Sequence, residues 1–193
     1  MRADLSQLAR PQRGHFDLGT GFHGDLWMDL DTLFLWPARL RPAAGQLAGH
    51  LRRYRPAAVC GPLSGGAFLA QMVAEILGAA FLPAYPGPGH PARYHLPDAV
   101  RGQIAGWRVA VVDDAVNAGT AVRASCEELR AAGAEPVAVA ALLALGQAAT
   151  VITGALGLPF HAAAALPSRV WPADACPLCE DGTPVDRPLP AGG

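Results

Sequence analysis

Residues 109–125 read VAVVDDAVNAGTAVRAS. An apolar run ends in two adjacent carboxylates, Asp113 and Asp114, and a small-residue turn follows before a helical pattern begins. Backbone N–H groups in a turn that enters a helix form a nest for an anion. Ala118, Gly119, Thr120 and Ala121 are small enough to let phosphate oxygens approach those amides, and Thr120 adds a hydroxyl. Two aspartates would repel a phosphate set directly on them. They suit a position one step away, against sugar hydroxyls, a metal ion or a sugar carbon gaining positive charge. A carboxylate accepts hydrogen bonds from a vicinal diol well. The pattern therefore asks for a sugar phosphate. The bland alternative is a strand end with exposed acids and an ordinary turn. Neither G-x-x-x-x-G-K nor G-x-G-x-x-G occurs, so neither a Walker loop nor a dinucleotide fingerprint is present.

Outward from this stretch, the chain alternates apolar runs with helical patterns. AAVC runs into GPLSGG and then AFLAQMVAEILG, a strand, a glycine turn and a helix ending at Gly78. AAFLPAY, GWRVAVVDD, EPVAVAALLAL and LPFHAAAAL read as strands, and TAVRASCEELRAAG and TVITGALG as helices. The continuous apolar run from 135 predicts a strand buried on both faces. Pro37 opens a helix to about Tyr54. The first 35 residues nearly alternate, which predicts strands at the sheet edge. Residues 86–106 hold proline, glycine, His90, His95, Arg93 and Arg101 without periodicity and read as one long loop. The whole predicts an α/β fold with a parallel sheet, and ligands at the strands' carboxyl ends near a switch in strand order. Both glycine turns, 61–66 and 115–121, fall at such ends and suggest one ligand with two phosphate-bearing ends.

The bulk numbers exclude several classes. The 193 residues suit one domain with a short appendage, and 51% are apolar, enough for a core. Net charge is -1, so no basic footprint for nucleic acid exists. All 15 basic residues are arginine, which removes any mechanism needing a lysine from this chain, a phosphoacceptor receiver among them. No apolar stretch approaches the roughly 18 residues of a membrane span, and the first residues lack an apolar signal core, so a cytoplasmic location with no membrane partner is expected. Four cysteines are too few for a disulfide scaffold. Cys176 and Cys179 have the spacing of half a zinc site. Its other ligands would have to be Cys60, Cys126, a histidine or a second copy; free structural thiols are the alternative. His15, His50 and His161 look incidental.

DDAVNAGTAVRAS resembles the PRPP-binding motif of type I phosphoribosyltransferases, and within them orotate phosphoribosyltransferases most. The resemblance runs from about His15 to Gly182. FDLGTGFHGDLWMDLDTLF is similar to the family's N-terminal hood, GPLSGGAFLA to its pyrophosphate loop, and 86–106 lies where the family has a mobile catalytic loop. CPLCEDGTPV resembles the tail of some bacterial members. The implied architecture is a Rossmann-like parallel-sheet domain over 1–170, with a small hood from about 14–35, followed by a proline-rich C-x-x-C tail over 171–193. The implied reaction joins the ribose of PRPP to a nucleobase, orotate first, in a Mg²⁺-dependent homodimer. Asp113 and Asp114 would hold the ribose hydroxyls, with Mg²⁺ on PRPP reached from one of them through water. Asn117, Ala118, Gly119, Thr120 and Ala121 would cradle the 5-phosphate, and Leu63, Ser64, Gly65 and Gly66 the pyrophosphate.

The chain departs from that pattern in three places, the loop lysine, position 117 and the arginine for the orotate carboxylate, while His23 stands near where the family often carries a His or Lys. The loop lysine is absent, leaving Arg93 on the pyrophosphate and His95 as the proton donor. Asn117 replaces the threonine that touches the base. His23 is the hood residue facing base or pyrophosphate, or else a surface histidine. The arginine expected for the orotate carboxylate falls on ALGQ, so Leu145 or Gly146 stands there. These departures leave two other functions open: salvage of another base, and a PRPP- or nucleotide-binding regulator without turnover.

Overall fold

The computed structural model describes residues 11–18, 21–88 and 93–187. Its main sheet is built from β3 (Ala58–Pro62), β4 (Ala80–Gly87), β5 (Arg93–His95), β6 (Arg108–Val116), β7 (Glu135–Leu145) and β8 (Phe160–Leu166), in the order β5-β4-β3-β6-β7-β8. All neighbours are parallel except β5, which returns antiparallel on β4. From β3 the chain crosses to β4 on one side, then to β6 on the other. The switch in strand order therefore lies between β3 and β6, where a crevice opens at the carboxyl ends.

The connecting helices cover both faces. On one face α2 (Pro37–Leu51) and α3 (Gly65–Leu77) bury Leu40, Leu47, Leu69 and Val73 against Val59 and Val112. On the other, α5 (Thr120–Ala131) and α6 (Ala148–Leu156) bury Val122, Leu129 and Ile152 against Val111 and Val139. Every residue of β7 after Glu135 is buried, as its unbroken apolar run predicts. Pro37 sits in the first turn of α2, and Gly78 closes α3 at φ 67°. Among the described residues no helix is long and apolar enough to cross a membrane.

Two expectations change. The N-terminal strands do not extend the main sheet. β1 (Gln12–Asp17) and β2 (Phe22–Trp27) pair with each other, and β2 pairs with β9 (Val170–Pro172), in a separate three-stranded sheet. Alternation specifies a two-faced strand but not its partner, and here the partner comes from the far end of the chain. Nor is 86–106 one loop. Within it lie β5 and a short helix, α4 (Asp98–Arg101), pinned by an Arg101–Glu128 ion pair and by burial of Leu96 and Ile104. His90 lies outside the described residues.

The tail folds onto the hood. β9 straddles the expected boundary after residue 170, a 3₁₀ turn and α7 (Pro177–Glu180) follow, and the Asp186 N–H donates to the His15 carbonyl at 2.7 Å. Short helix α1 (Asp31–Phe34) leads from the hood back to α2.

Candidate active site

Asp113 and Asp114 end the apolar part of β6 at the mouth of the crevice. Asp113 is buried, 6% exposed, and Asp114 is half-buried. The Asp114 N–H donates to Asp113 Oδ1 at 3.0 Å, and the Ala115 N–H to Asp114 Oδ1 at 2.7 Å. Burial pushes the Asp113 carboxyl well above the usual carboxylate range, and the neighbouring Asp114 charge pushes the same way. Burial raises Asp114 too, against the pull of the Ala115 amide. The pair thus holds a proton more readily than free aspartates do.

The glycine turn after β3 closes on this pair. A Cβ at Gly65 would overlap Asp114 Oδ2, and one at Gly66 would overlap Asp113 Oδ1. Only glycine permits that approach. The Leu63–Ser64 peptide just before it is cis. The two turns separated in sequence are thus joined at the switch point, with their acids and small residues in van der Waals contact.

Beyond the acids, Asn117, Ala118, Gly119, Thr120 and Ala121 line a cavity of about 240 Å³ together with Asp113, Leu18 and Phe22. Helix α5 starts at Thr120, so its free amides and positive end face this space. A second cavity, about 550 Å³, shares Phe22, Asn117 and Ala118 and continues to Arg123, Gln147, Ser168, Arg169 and Trp171. It runs between the core turn and the hood. The Ser168 hydroxyl is buried with no hydrogen-bond partner.

Neither Arg93 nor His95 makes a described contact with the acidic pair. Both are exposed on β5, with His95 stacked on Tyr85 at 5.7 Å between ring centres. Tyr94 between them packs toward the core, and its phenol is pushed up by burial and then by the charges of Asp113 and Asp114. Alternation along a strand sends residue 94 to the opposite face from 93 and 95.

No family model matches the chain. The orotate phosphoribosyltransferase of Caldanaerobacter subterraneus subsp. tengcongensis is 30% identical over 178 residues, covering 91% of this chain and 88% of that protein. That of Thermotoga maritima is 31% identical over 186 residues, covering 95% and 94%. The chain belongs to the orotate phosphoribosyltransferase family. Among solved structures, orotate phosphoribosyltransferase from Aeropyrum pernix superposes with a TM-score of 0.66 at 27% identity, covering 84% of this chain and 91% of that one. Adenine phosphoribosyltransferase from Thermoanaerobacter pseudethanolicus shares the fold, with a TM-score of 0.65 at 18% identity over 84% and 98% of the two chains.

One departure from the orotate phosphoribosyltransferase pattern has a structural cause. At the end of β7, Gly146 has φ 56°, and a Cβ there would overlap the Ser168 carbonyl. The 167–169 link to β9 occupies the space into which a side chain would grow, so no arginine fits at 146. That link brings its own arginine, Arg169, whose backbone is fixed to Asp25 of β2 by hydrogen bonds of 2.8 and 3.1 Å.

His23 lines neither cavity. Its neighbour Phe22 lines both cavities, whereas the His23 ring turns to the other side of β2. His23 Nδ1 lies 3.0 Å from His15 Nε2 and 3.3 Å from Cys179 Sγ. His15, expected to be incidental, is 1% exposed and sits at the centre of this group. Cys60 and Cys126 are buried in the main core, where burial pushes both thiols up, and take no part. The sequence separates His15 from Cys176 so widely that no spacing rule connects them.

Proposed function

We propose that the chain transfers the 5-phosphoribosyl group of PRPP to orotate, giving orotidine monophosphate and pyrophosphate in pyrimidine biosynthesis. The observation that carries this is the contact of Gly65 and Gly66 with Asp113 and Asp114. It supports reading the 63–66 turn as the pyrophosphate loop, the two acids beside it as the ribose site, and the 117–121 turn beyond them as the phosphate nest.

In this reading the 5-phosphate lies on the amides of 117–121, and the ribose hydroxyls donate to Asp113 and Asp114. Pyrophosphate lies on Leu63 to Gly66. The acids and the diphosphate are hard oxygen donors, which suits Mg²⁺. Asp113 or Asp114 would hold it through water, and when bound it neutralises charge on the leaving group. The bond from C1 to the pyrophosphate oxygen breaks, its electron pair leaving with pyrophosphate, while C1 joins a ring nitrogen whose proton passes to solvent. The ribose gains positive charge at the transition state, and the buried acids stabilise it electrostatically. Arg93 and His95 remain the cations assigned to the pyrophosphate, with His95 donating the proton; this requires 93–95 to leave its edge position on β4.

The base enters the 550 Å³ cavity between Phe22, Asn117 and Trp171. Arg169 and Arg123, on its wall, supply the charge for the orotate carboxylate that position 146 cannot. Leu35, Trp36 and Phe68 are exposed, and Phe34, which precedes the first two in the chain, meets Phe68 at 5.6 Å in a tilted arrangement and lies against the Gly65 backbone, so we take these residues as one apolar face. A second copy of the chain covers it in a homodimer. The enzyme works in the cytoplasm. Zn²⁺ at Cys176 and Cys179 serves the tail rather than the chemistry.

Pyrophosphate release with orotate, uracil, hypoxanthine and adenine tests the assignment. Orotate is expected to be preferred. The glycine at 146 favours a second reading, salvage of a base without a carboxylate, which such a base would win. PRPP binding in the calorimeter with no turnover on any base would instead leave a regulator.

A further inference from the structure

We propose that His15, His23, Cys176 and Cys179 form a structural zinc site that locks the tail onto both N-terminal strands. One ligand atom from each residue falls within 4.8 Å of all the others. Beyond the His15–His23 and His23–Cys179 distances above, His15 Nε2 lies 3.4 Å from Cys176 Sγ and 3.7 Å from Cys179 Sγ. A tetrahedral zinc with ordinary bond lengths has N···N edges of about 3.3 Å and N···S edges of about 3.5 Å. Four of the six edges come close to these values, and the two from Cys176 Sγ to His23 and to Cys179 Sγ are within 4.8 Å.

Hydrogen bonding alone does not account for this convergence. The His15 Nδ1–H donates to the Thr183 carbonyl at 2.9 Å, because a carbonyl only accepts. In the neutral ring this leaves one lone pair, on Nε2. Two thiols and a second imidazole crowd around that single acceptor. A cation at the centre takes one lone pair from each of the four groups. The Thr183 carbonyl then plays the part usual for an outer partner of a ligating histidine, fixing tautomer and ring orientation. Two thiolates and two neutral imidazoles cancel the charge of Zn²⁺, so the site suits its partly buried setting. His15 and Cys176 are each 1% exposed.

The backbone supports the same reading. Cys176 caps α7, the Cys179 N–H donates to the Cys176 carbonyl at 3.1 Å, and Gly182 turns the chain back at φ 71°. This tight turn presents both sulfurs to one side. His15 comes from β1 and His23 from β2, so one ion ties three segments of the hood. Its position beside Phe22 and opposite Trp171 in the β2–β9 register holds the wall of the larger cavity.

The test is elemental analysis of the untagged full chain purified without chelator. One zinc per chain is expected, released by thiol modification. Cobalt loading should give the intense visible bands of a tetrahedral site and a sulfur-to-cobalt charge-transfer band. Cys179→Ser and His23→Ala should each lose nearly all the metal, whereas His23→Cys, which keeps a ligand, should retain it. Chelation should lower the melting temperature of the parent and leave Cys179→Ser unmoved. Less than a tenth of an equivalent of metal, with free thiols and no cobalt spectrum, would overturn the proposal. So would a metal-free chain lighter by two hydrogens under non-reducing conditions, since that is a disulfide.

Discussion

Gly66 and Asp113 stand so close that one methyl group on the glycine would overlap the carboxylate oxygen. Gly66 lies in the first turn of α3, just after β3, and Asp113 lies on the adjacent parallel strand β6; in the proposed reading their contact fixes where the diphosphate and sugar ends of PRPP meet. Gly66→Ala should therefore fail twice. Overpacking should lower stability by about 1–3 kcal/mol in denaturant titration. PRPP affinity should fall at least tenfold, by calorimetry, even where the variant is folded.

The acidic pair sets a pH dependence. Below the usual aspartate range of about 3.9 the folded and unfolded chains both hold these protons. Above it the unfolded chain releases them, while the folded pair, raised by burial and mutual repulsion, keeps one. Its stabilising contribution is therefore full at low pH and lost as pH rises through the pair's raised value. Asp113→Asn should flatten this slope in pH-dependent melting curves.

Ligand binding runs in the opposite sense. Ribose hydroxyls donate to ionised carboxylates, so PRPP should expel the shared proton. Titrations in buffers of different ionisation enthalpy should show net proton release, and affinity should rise with pH across the same interval. Asp114→Asn should weaken PRPP binding by about 1.5–3 kcal/mol, the range for hydrogen bonds to charged groups. Unchanged affinity in both Asn variants would mean the sugar lies elsewhere.

Arg169 is tested by base selectivity. Arg169→Ala should raise the KM for orotate by about tenfold or more while leaving the KM for PRPP within twofold, since a charge-assisted contact is worth about 1.5–3 kcal/mol. Lysine should restore the function only in part, lacking the planar fork. A parallel change in both KM values would remove Arg169 from the base.

The apolar face predicts assembly. Trp36→Asp together with Phe68→Asp should convert a dimer to a monomer in sedimentation velocity. A monomeric parent chain would assign Leu35, Trp36 and Phe68 to some other surface.

Much of this was legible from residue order. The strand over 135–145 follows from length and unbroken apolar character, and the small-residue turn that lines a cavity beside Asp113 from the acids and the small residues at 118–121. These are local signals. What escaped depended on distant partners. His15 looked incidental because its ligand-spaced partners come from residues 176 and 179. Tyr94 was hidden because three residues pairing on β4 carry too short a pattern to read as a strand. The blocked position at Gly146 is visible only once the Ser168 carbonyl is seen to fill it.

The borrowed third strand of the hood has a consequence during synthesis. Both glycine turns and the strands that carry them leave the ribosome before residues 170–172 exist. A nascent chain can therefore assemble the crevice between β3 and β6 while the β9-facing edge of Phe22–Trp27 still waits for its partner. The wall of the larger cavity, where we place the base, is finished last, so truncation before Val170 should cost base selectivity ahead of PRPP recognition.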